Sequence, residues 1–111
     1  MNNEYSMVIA TFPNKELAKK IAKILVEQRI AACAQLLSSE SVYRWKDEIC
    51  DECEIMVLIK SRANMFEKIA TAIKTSHPYE VPEIIQIPIS AELPEYLRWI
   101  SDCTNEKSED E

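Results

Sequence analysis

Four side chains able to bind or transfer protons crowd into one short segment, His77-Pro78-Tyr79-Glu80-Val81-Pro82-Glu83. It holds the only histidine of the chain, one of four tyrosines and two of five prolines. Each proline fixes its own φ and biases the residue before it away from helix, so the segment is held nearly extended, its polar groups at defined angles. His77 with Glu80 and Glu83 is a candidate ligand set for a divalent cation, since imidazole suits Cu and Zn. Tyr79, between them, could donate a hydrogen bond to a bound carboxylate or anion. The plainer alternative is a helix stop and strand start, with His77 ordering the connector, Tyr79 packing, Glu80 solvated and Glu83 at the polar end of the strand.

Cys33 is the second candidate ligand, because a thiolate favours Cu(I). Its alternative is a small buried thiol filling space beside Ala31 and Ala32. Lys60 and Arg62 could balance the acidic segment, or be ordinary charges at a strand end. Cys50-Asp51-Glu52-Cys53 has the Cys-x-x-Cys form, but a structural zinc site needs four ligands and the chain has one histidine. In an extended strand the offset of three also sends the two thiols to opposite faces. A Cys–His pair without an orienting third residue is thin support for nucleophilic catalysis. The expectation is therefore a protein that is not an enzyme and has no obligatory cofactor.

The composition narrows the rest. With 111 residues the chain is one domain, expected over 1–104, followed by an acidic, frayed tail over 105–111. A net charge of −6 argues against nucleic acid, because phosphate binding needs a clustered positive field. No apolar run has the length of a membrane span. The start lacks the basic and apolar blocks of a secretory signal, and four cysteines without such a signal suggest free thiols in a reducing cytoplasm. The chain has no glycine, so no glycine-rich phosphate loop exists. Positions needing φ > 0 are expected to use Asn, Asp or Ser.

The elements that must position these groups follow from periodicity. Tyr5–Thr11 reads as a strand, and Asn14 as the cap of a helix running to about Gln28, with Leu17, Ala18, Ile21, Ile24 and Leu25 on one stripe. Ala31–Leu37 reads as a buried strand, interrupted at Ser38-Ser39-Glu40 and resumed over Ser41–Trp45. Lys46-Asp47-Glu48 is a hairpin tip without the usual Asn-Gly pair. Cys53–Lys60 is a strand with Ile55, Val57 and Ile59 on one face and Met56 and Leu58 on the other. Asn64–Ser76 is a helix, Glu83–Ile89 an edge strand because of Pro88, and Glu95–Cys103 a last helix opened by Pro94. The order predicts an α+β fold of ferredoxin-like type, two split βαβ units forming an antiparallel sheet with helices on one face. Two helices cannot cover both faces, so another copy of the chain is expected to shield the open one. Trp45, near the hairpin tip, and Tyr43 and Trp99 are candidate subunit contacts.

Six segments resemble the CutA divalent-cation-tolerance family: Thr11-Phe12-Pro13, Arg29-Ile30-Ala31-Ala32-Cys33, Val42-Tyr43-Arg44-Trp45, Leu58-Ile59-Lys60-Ser61-Arg62, His77–Glu83 and Tyr96-Leu97-Arg98-Trp99-Ile100. The resemblance implies a ferredoxin-like subunit, a compact homotrimer, long hairpin strands extending sheets across subunit boundaries, and a link to copper and other divalent cations. The chain departs from the family at Leu37-Ser38-Ser39 and Asp47, where proline-glycine and glycine are usual, and at Ala10, where some members carry a cysteine. The expected function is metal-ion tolerance through weak binding of Cu or another divalent cation. The alternative is a trimeric sensor or adaptor taking a small molecule or a protein in its inter-subunit clefts.

Overall fold

A computed structural model describes residues 4–104. The acidic stretch expected as a tail lies outside the described residues. The elements are β1 (Tyr5–Phe12), α1 (Lys15–Glu27), β2 (Cys33–Trp45), β3 (Glu48–Arg62), a 3-10 turn (Ala63–Met65), α2 (Phe66–Ser76), β4 (Ile84–Pro88) and α3 (Pro94–Cys103). The strands form one sheet in the order β2-β3-β1-β4, every pairing antiparallel. This is the predicted ferredoxin-like arrangement, and β4 takes the edge position that Pro88 requires.

Alternation along the strands separates two faces. Val8, Ala10 and Phe12 of β1 and Val57 and Ile59 of β3 are buried, and with Ile21 and Leu25 of α1 and Ile69 and Ile73 of α2 they form the core. The Asn14 side chain accepts the Leu17 amide at 2.8 Å and starts α1. The helix ends without glycine. Arg29 takes φ 61°, and the amides of Ile30 and Arg29 return to the carbonyls of Leu25 (2.9 Å) and Val26 (3.1 Å). That pair of bonds is the Schellman motif.

Two expectations need correction. First, β2 is not interrupted at Ser38–Glu40; it runs unbroken beside β3. Its polar residues stay in the ladder because the Ser39 hydroxyl donates to the Glu54 carbonyl (3.3 Å) and the Ser41 hydroxyl to the Glu54 carboxylate (2.7 Å). Second, among the described residues those with positive φ are Arg29, Lys46 and Asp47, so two of these three are long basic side chains rather than Asn, Asp or Ser. Lys46 and Asp47, at φ 50° and 68°, make the two-residue turn between Trp45 and Glu48. The helices of the two βαβ units, α1 and α2, share one face as expected. α3 lies against the second face, where Tyr96 reaches Cys33 and Ser101 reaches Tyr5.

The second face is only partly covered by α3. Leu37, Ile85 and Ile87 on its uncovered half are 45%, 48% and 40% exposed. The hairpin also outruns the body. β1 pairs with β3 only from Ile55 to Arg62, so Ser39–Trp45 and Glu48–Glu54 pair with each other alone. This two-stranded arm leaves Val42 and Ile49 largely exposed.

Candidate functional site

The His77–Glu83 connector leaves α2 and crosses the C-terminal end of β1. His77 itself takes extended backbone angles, as a residue before proline must. Its Nε2 lies 2.7 Å from the Thr11 carbonyl, and its Nδ1 lies 3.2 Å from the Tyr79 amide. A carbonyl can only accept and an amide can only donate. Nε2 therefore carries the proton and Nδ1 offers its lone pair, which makes the imidazole neutral and commits both nitrogens. The ring packs between Phe12 (centroids 5.0 Å apart) and Tyr79 (4.6 Å).

Tyr79 carries the arrangement onward to the hairpin. Its hydroxyl donates to Glu54 Oε2 at 3.0 Å, while Ser41 donates to Oε1. Glu54 is 6% exposed, so a carboxylate is buried at the root of the arm with one hydroxyl donor on each oxygen. One step further out, the Tyr43 hydroxyl donates to Glu52 at 2.8 Å. The Tyr79 phenol is pushed up to about 12, first by burial and then by its bond to Glu54. Losing that proton would place a second negative charge against the carboxylate. The Tyr43 phenol is raised too, chiefly by its bond to Glu52.

The connector and the arm enclose a groove of about 840 Å³. Glu52, Glu54, Glu80 and Glu83 supply its charge, Tyr43, Trp45 and Tyr79 its aromatic walls, and Val42, Pro78 and Val81 its apolar floor. Among the described residues, no lysine, arginine or histidine lines it. Glu80, Glu83 and Tyr79 line this one groove. Glu54, Glu52 and Ser41 were not singled out in the sequence. The available signal was Glu54 itself, which falls on the same strand face as Met56 and Leu58.

Other expected members lie elsewhere. Cys33 pairs with Lys60, six residues along β3 from Glu54, which is roughly 20 Å in a strand. Its sulfur contacts the Tyr96 hydroxyl at 3.7 Å. That phenol is also pushed up to about 12, by burial first and the thiol second. Lys60 bonds Gln35 (2.7 Å) and lies 5.9 Å from the Tyr96 ring centroid. Arg62 donates to the Thr104 hydroxyl (2.8 Å) and to the Ser101 carbonyl (3.2 Å), tying down the end of α3. Within one subunit, Lys60 and Arg62 therefore do not line the cleft, because they sit at the opposite end of the sheet. The quartet His77, Cys33, Glu80 and Glu83 is not assembled either. Among the described residues of the subunit, no three of His, Cys, Asp and Glu form a group able to hold a metal ion. All four cysteines are free, and the straight run of β3 sends Cys50 and Cys53 to opposite faces. Tyr43, Trp45 and Trp99 are 36%, 40% and 41% exposed.

The model of the CutA1 divalent ion tolerance protein family matches residues 6–103. The chain belongs to that family. It is 40% identical over 99 residues to the divalent-cation tolerance protein CutA of Thermus thermophilus, covering 88% of this chain and 96% of that one. It is 36% identical over 104 residues to the mouse protein CutA, covering 93% of this chain but only 59% of the longer mouse protein. The solved structure of the periplasmic divalent cation tolerance protein CutA from Archaeoglobus fulgidus superposes with a TM-score of 0.87 at 32% identity, covering 89% of this chain and 97% of that one. Each segment on which the CutA resemblance rested lies inside or at the border of the matched span. None of the described helices is long and apolar enough to cross a membrane.

Proposed function

We propose that this chain acts as a cytoplasmic homotrimer in the response to divalent metal ions, associating weakly with copper or another divalent cation and catalysing no reaction. The observation that carries the reading is the half-covered sheet face beside a free-standing arm. Leu37, Ile85, Ile87, Val42 and Ile49 expose more apolar surface than a solitary subunit should leave wet. A closed ring of three copies would cover that face and give the arm something to pack on.

The groove supports the cation part of the reading. Its carboxylates attract cations, yet the subunit offers no inner-sphere ligand set. Weak, largely hydrated association through Glu52, Glu80 and Glu83 follows from that combination. His77 serves by shape rather than ligation, because both of its nitrogens are committed. Cys33 is then a separate, soft site suited to Cu(I).

Sedimentation and calorimetry test the two parts separately. The native protein should sediment at three times the 12.8 kDa chain mass, and Ile85→Lys should reduce it to single chains. Titration with Cu(II) and Zn(II) should give weak, saturable heat that Glu80→Gln with Glu83→Gln removes. A folded solitary subunit would reject the assembly, and unchanged metal binding in the double variant would reject the groove.

A further inference from the structure

We infer that the lysine strip on the outer side of α1 is a docking surface for the acidic segment that follows α3 in the same chain. Lys15, Lys19, Lys20 and Lys23 are all exposed, on the side of α1 turned away from Ala18, Ile21, Ala22 and Leu25 in the core. Helix stability does not account for them. Lys15 with Lys19, and Lys19 with Lys23, are like charges four residues apart, a spacing that weakens a helix. The helix dipole favours cations in the last turn, and the last turn of α1 holds none. Glu16 and Glu27 are the only acids of α1, one near each end, so the strip keeps a net positive charge. On a chain of net charge −6 it is a local positive field that an anionic segment would complement.

The occupant follows from where α3 ends. Thr104, the last described residue, is 4% exposed, and its hydroxyl accepts from Arg62 at 2.8 Å. The Arg29 guanidinium, two residues past α1, donates to the Asp102 carbonyl at 3.1 Å. The end of α3 is thereby fixed beside the C-terminal end of α1. From there the sequence continues as Asn105-Glu106-Lys107-Ser108-Glu109-Asp110-Glu111, four carboxylates against one ammonium. Seven extended residues span at most about 25 Å. Along the helix axis Lys23 stands about 6 Å, Lys19 about 12 Å and Lys15 about 18 Å back from Glu27. Lys19, Lys20 and Lys23 therefore fall within reach, with Lys15 at its limit. Each exposed ion pair is weak, but the tether makes the encounter intramolecular, at a millimolar effective concentration. The association is sensitive to salt, because the Debye length shrinks from about 10 Å at 0.1 M to about 3 Å at 1 M. It uses neither the groove nor the sheet face assigned to assembly, so it holds for one chain or three.

Carbodiimide coupling of the full chain, which joins carboxylates to lysine amines, tests the inference. At low salt Glu106, Glu109, Asp110 or Glu111 should couple to Lys19, Lys20 and Lys23 in preference to Lys46, Lys60 and Lys74, and 1 M NaCl should abolish the preference. Isotopically heavy and light chains refolded together identify whose segment is bound. Links joining heavy to light chains would give the strip to a second copy and overturn the assignment, as would links mainly to Lys46, Lys60 or Lys74. Acetylation rates read lysine by lysine give the second measurement. Neutralising the segment by Glu106→Gln, Glu109→Gln, Asp110→Asn and Glu111→Gln together leaves the core and α1 untouched. Lys19, Lys20 and Lys23 should then react about threefold faster at low salt, with Lys46 and Lys74 little changed. Unchanged rates would overturn the inference. So would an equal rise at every lysine, since net charge without docking would then account for it.

Discussion

Replacing Tyr79 by Phe removes one oxygen and keeps the ring against His77, so it isolates the bond to Glu54. That carboxylate is 6% exposed and receives Tyr79 at 3.0 Å and Ser41 at 2.7 Å, one donor on each oxygen. A hydrogen bond to a charged group contributes about 1.5–3 kcal/mol. Tyr79 is only half-buried, so water can approach the vacated oxygen, and the loss should fall near the lower end, about 1.5 kcal/mol. Ser41→Ala should cost a similar amount for the same reason. The two losses should not add. With both donors gone, a buried carboxylate has no hydroxyl partner, and the double variant should lose at least about 1 kcal/mol beyond the sum. Denaturant unfolding at one fixed subunit concentration measures all four corners of the cycle, because any assembly makes stability concentration-dependent. Additivity within about 0.3 kcal/mol, or a Tyr79→Phe cost below about 0.5 kcal/mol, would refute the idea that these two hydroxyls share in holding Glu54.

Further predictions concern titration, the turn and the last helix. The folded-state phenols of Tyr79 and Tyr96 are pushed up to about 12 from the ordinary tyrosine value of 10.0. Their contribution to stability is therefore complete below pH 10 and is lost as pH rises from about 10 to 12, where the unfolded chain gives up these protons first. Unfolding followed across that window should show the decline, and Tyr79→Phe should flatten it; an unchanged slope would contradict the cause assigned here. Replacing Lys46-Asp47 by Asn-Gly should stabilise the protein by about 1–2 kcal/mol in thermal unfolding, because both residues hold left-handed angles that L side chains resist. No gain would mean that the turn carries no strain. Arg62→Ala removes two bonds to the end of α3 and should cost about 2 kcal/mol, with amide exchange quickening first over Ser101–Thr104. Protection left intact there would show that α3 is held without Arg62, by its packing and its other polar contacts.

Much of the fold was legible because its causes are local. The helical stripe of Leu17 to Leu25, the Asn14 cap and the prolines at 88 and 94 act within a few residues of themselves, and each element appears where they place it. The interruption at Ser38–Glu40 was misread for a non-local reason. Serines there look like a turn until their hydroxyls find Glu54 on the neighbouring strand. The left-handed residues escaped for the opposite reason. Without glycine the chain accepts Arg29 and Lys46 at positive φ, an uphill choice that the helix end and the hairpin each compensate with backbone bonds.

The candidate site divides the same way. The His77–Glu83 segment advertised itself because proline rigidity and residue type are properties of the chain as written. Glu54 did not, because a carboxylate in a strand becomes a buried acceptor only when Ser41 and Tyr79, 13 and 25 residues away, turn their hydroxyls onto it. Cys33 and His77 looked alike as ligands, yet the sheet sets them at opposite ends. The sequence alone determined which groups were available and which segments were stiff, since those depend on bonded neighbours. Only the tertiary structure decided which groups meet, because strand register and the reach of the hairpin fix distances between residues that no stretch of sequence holds together.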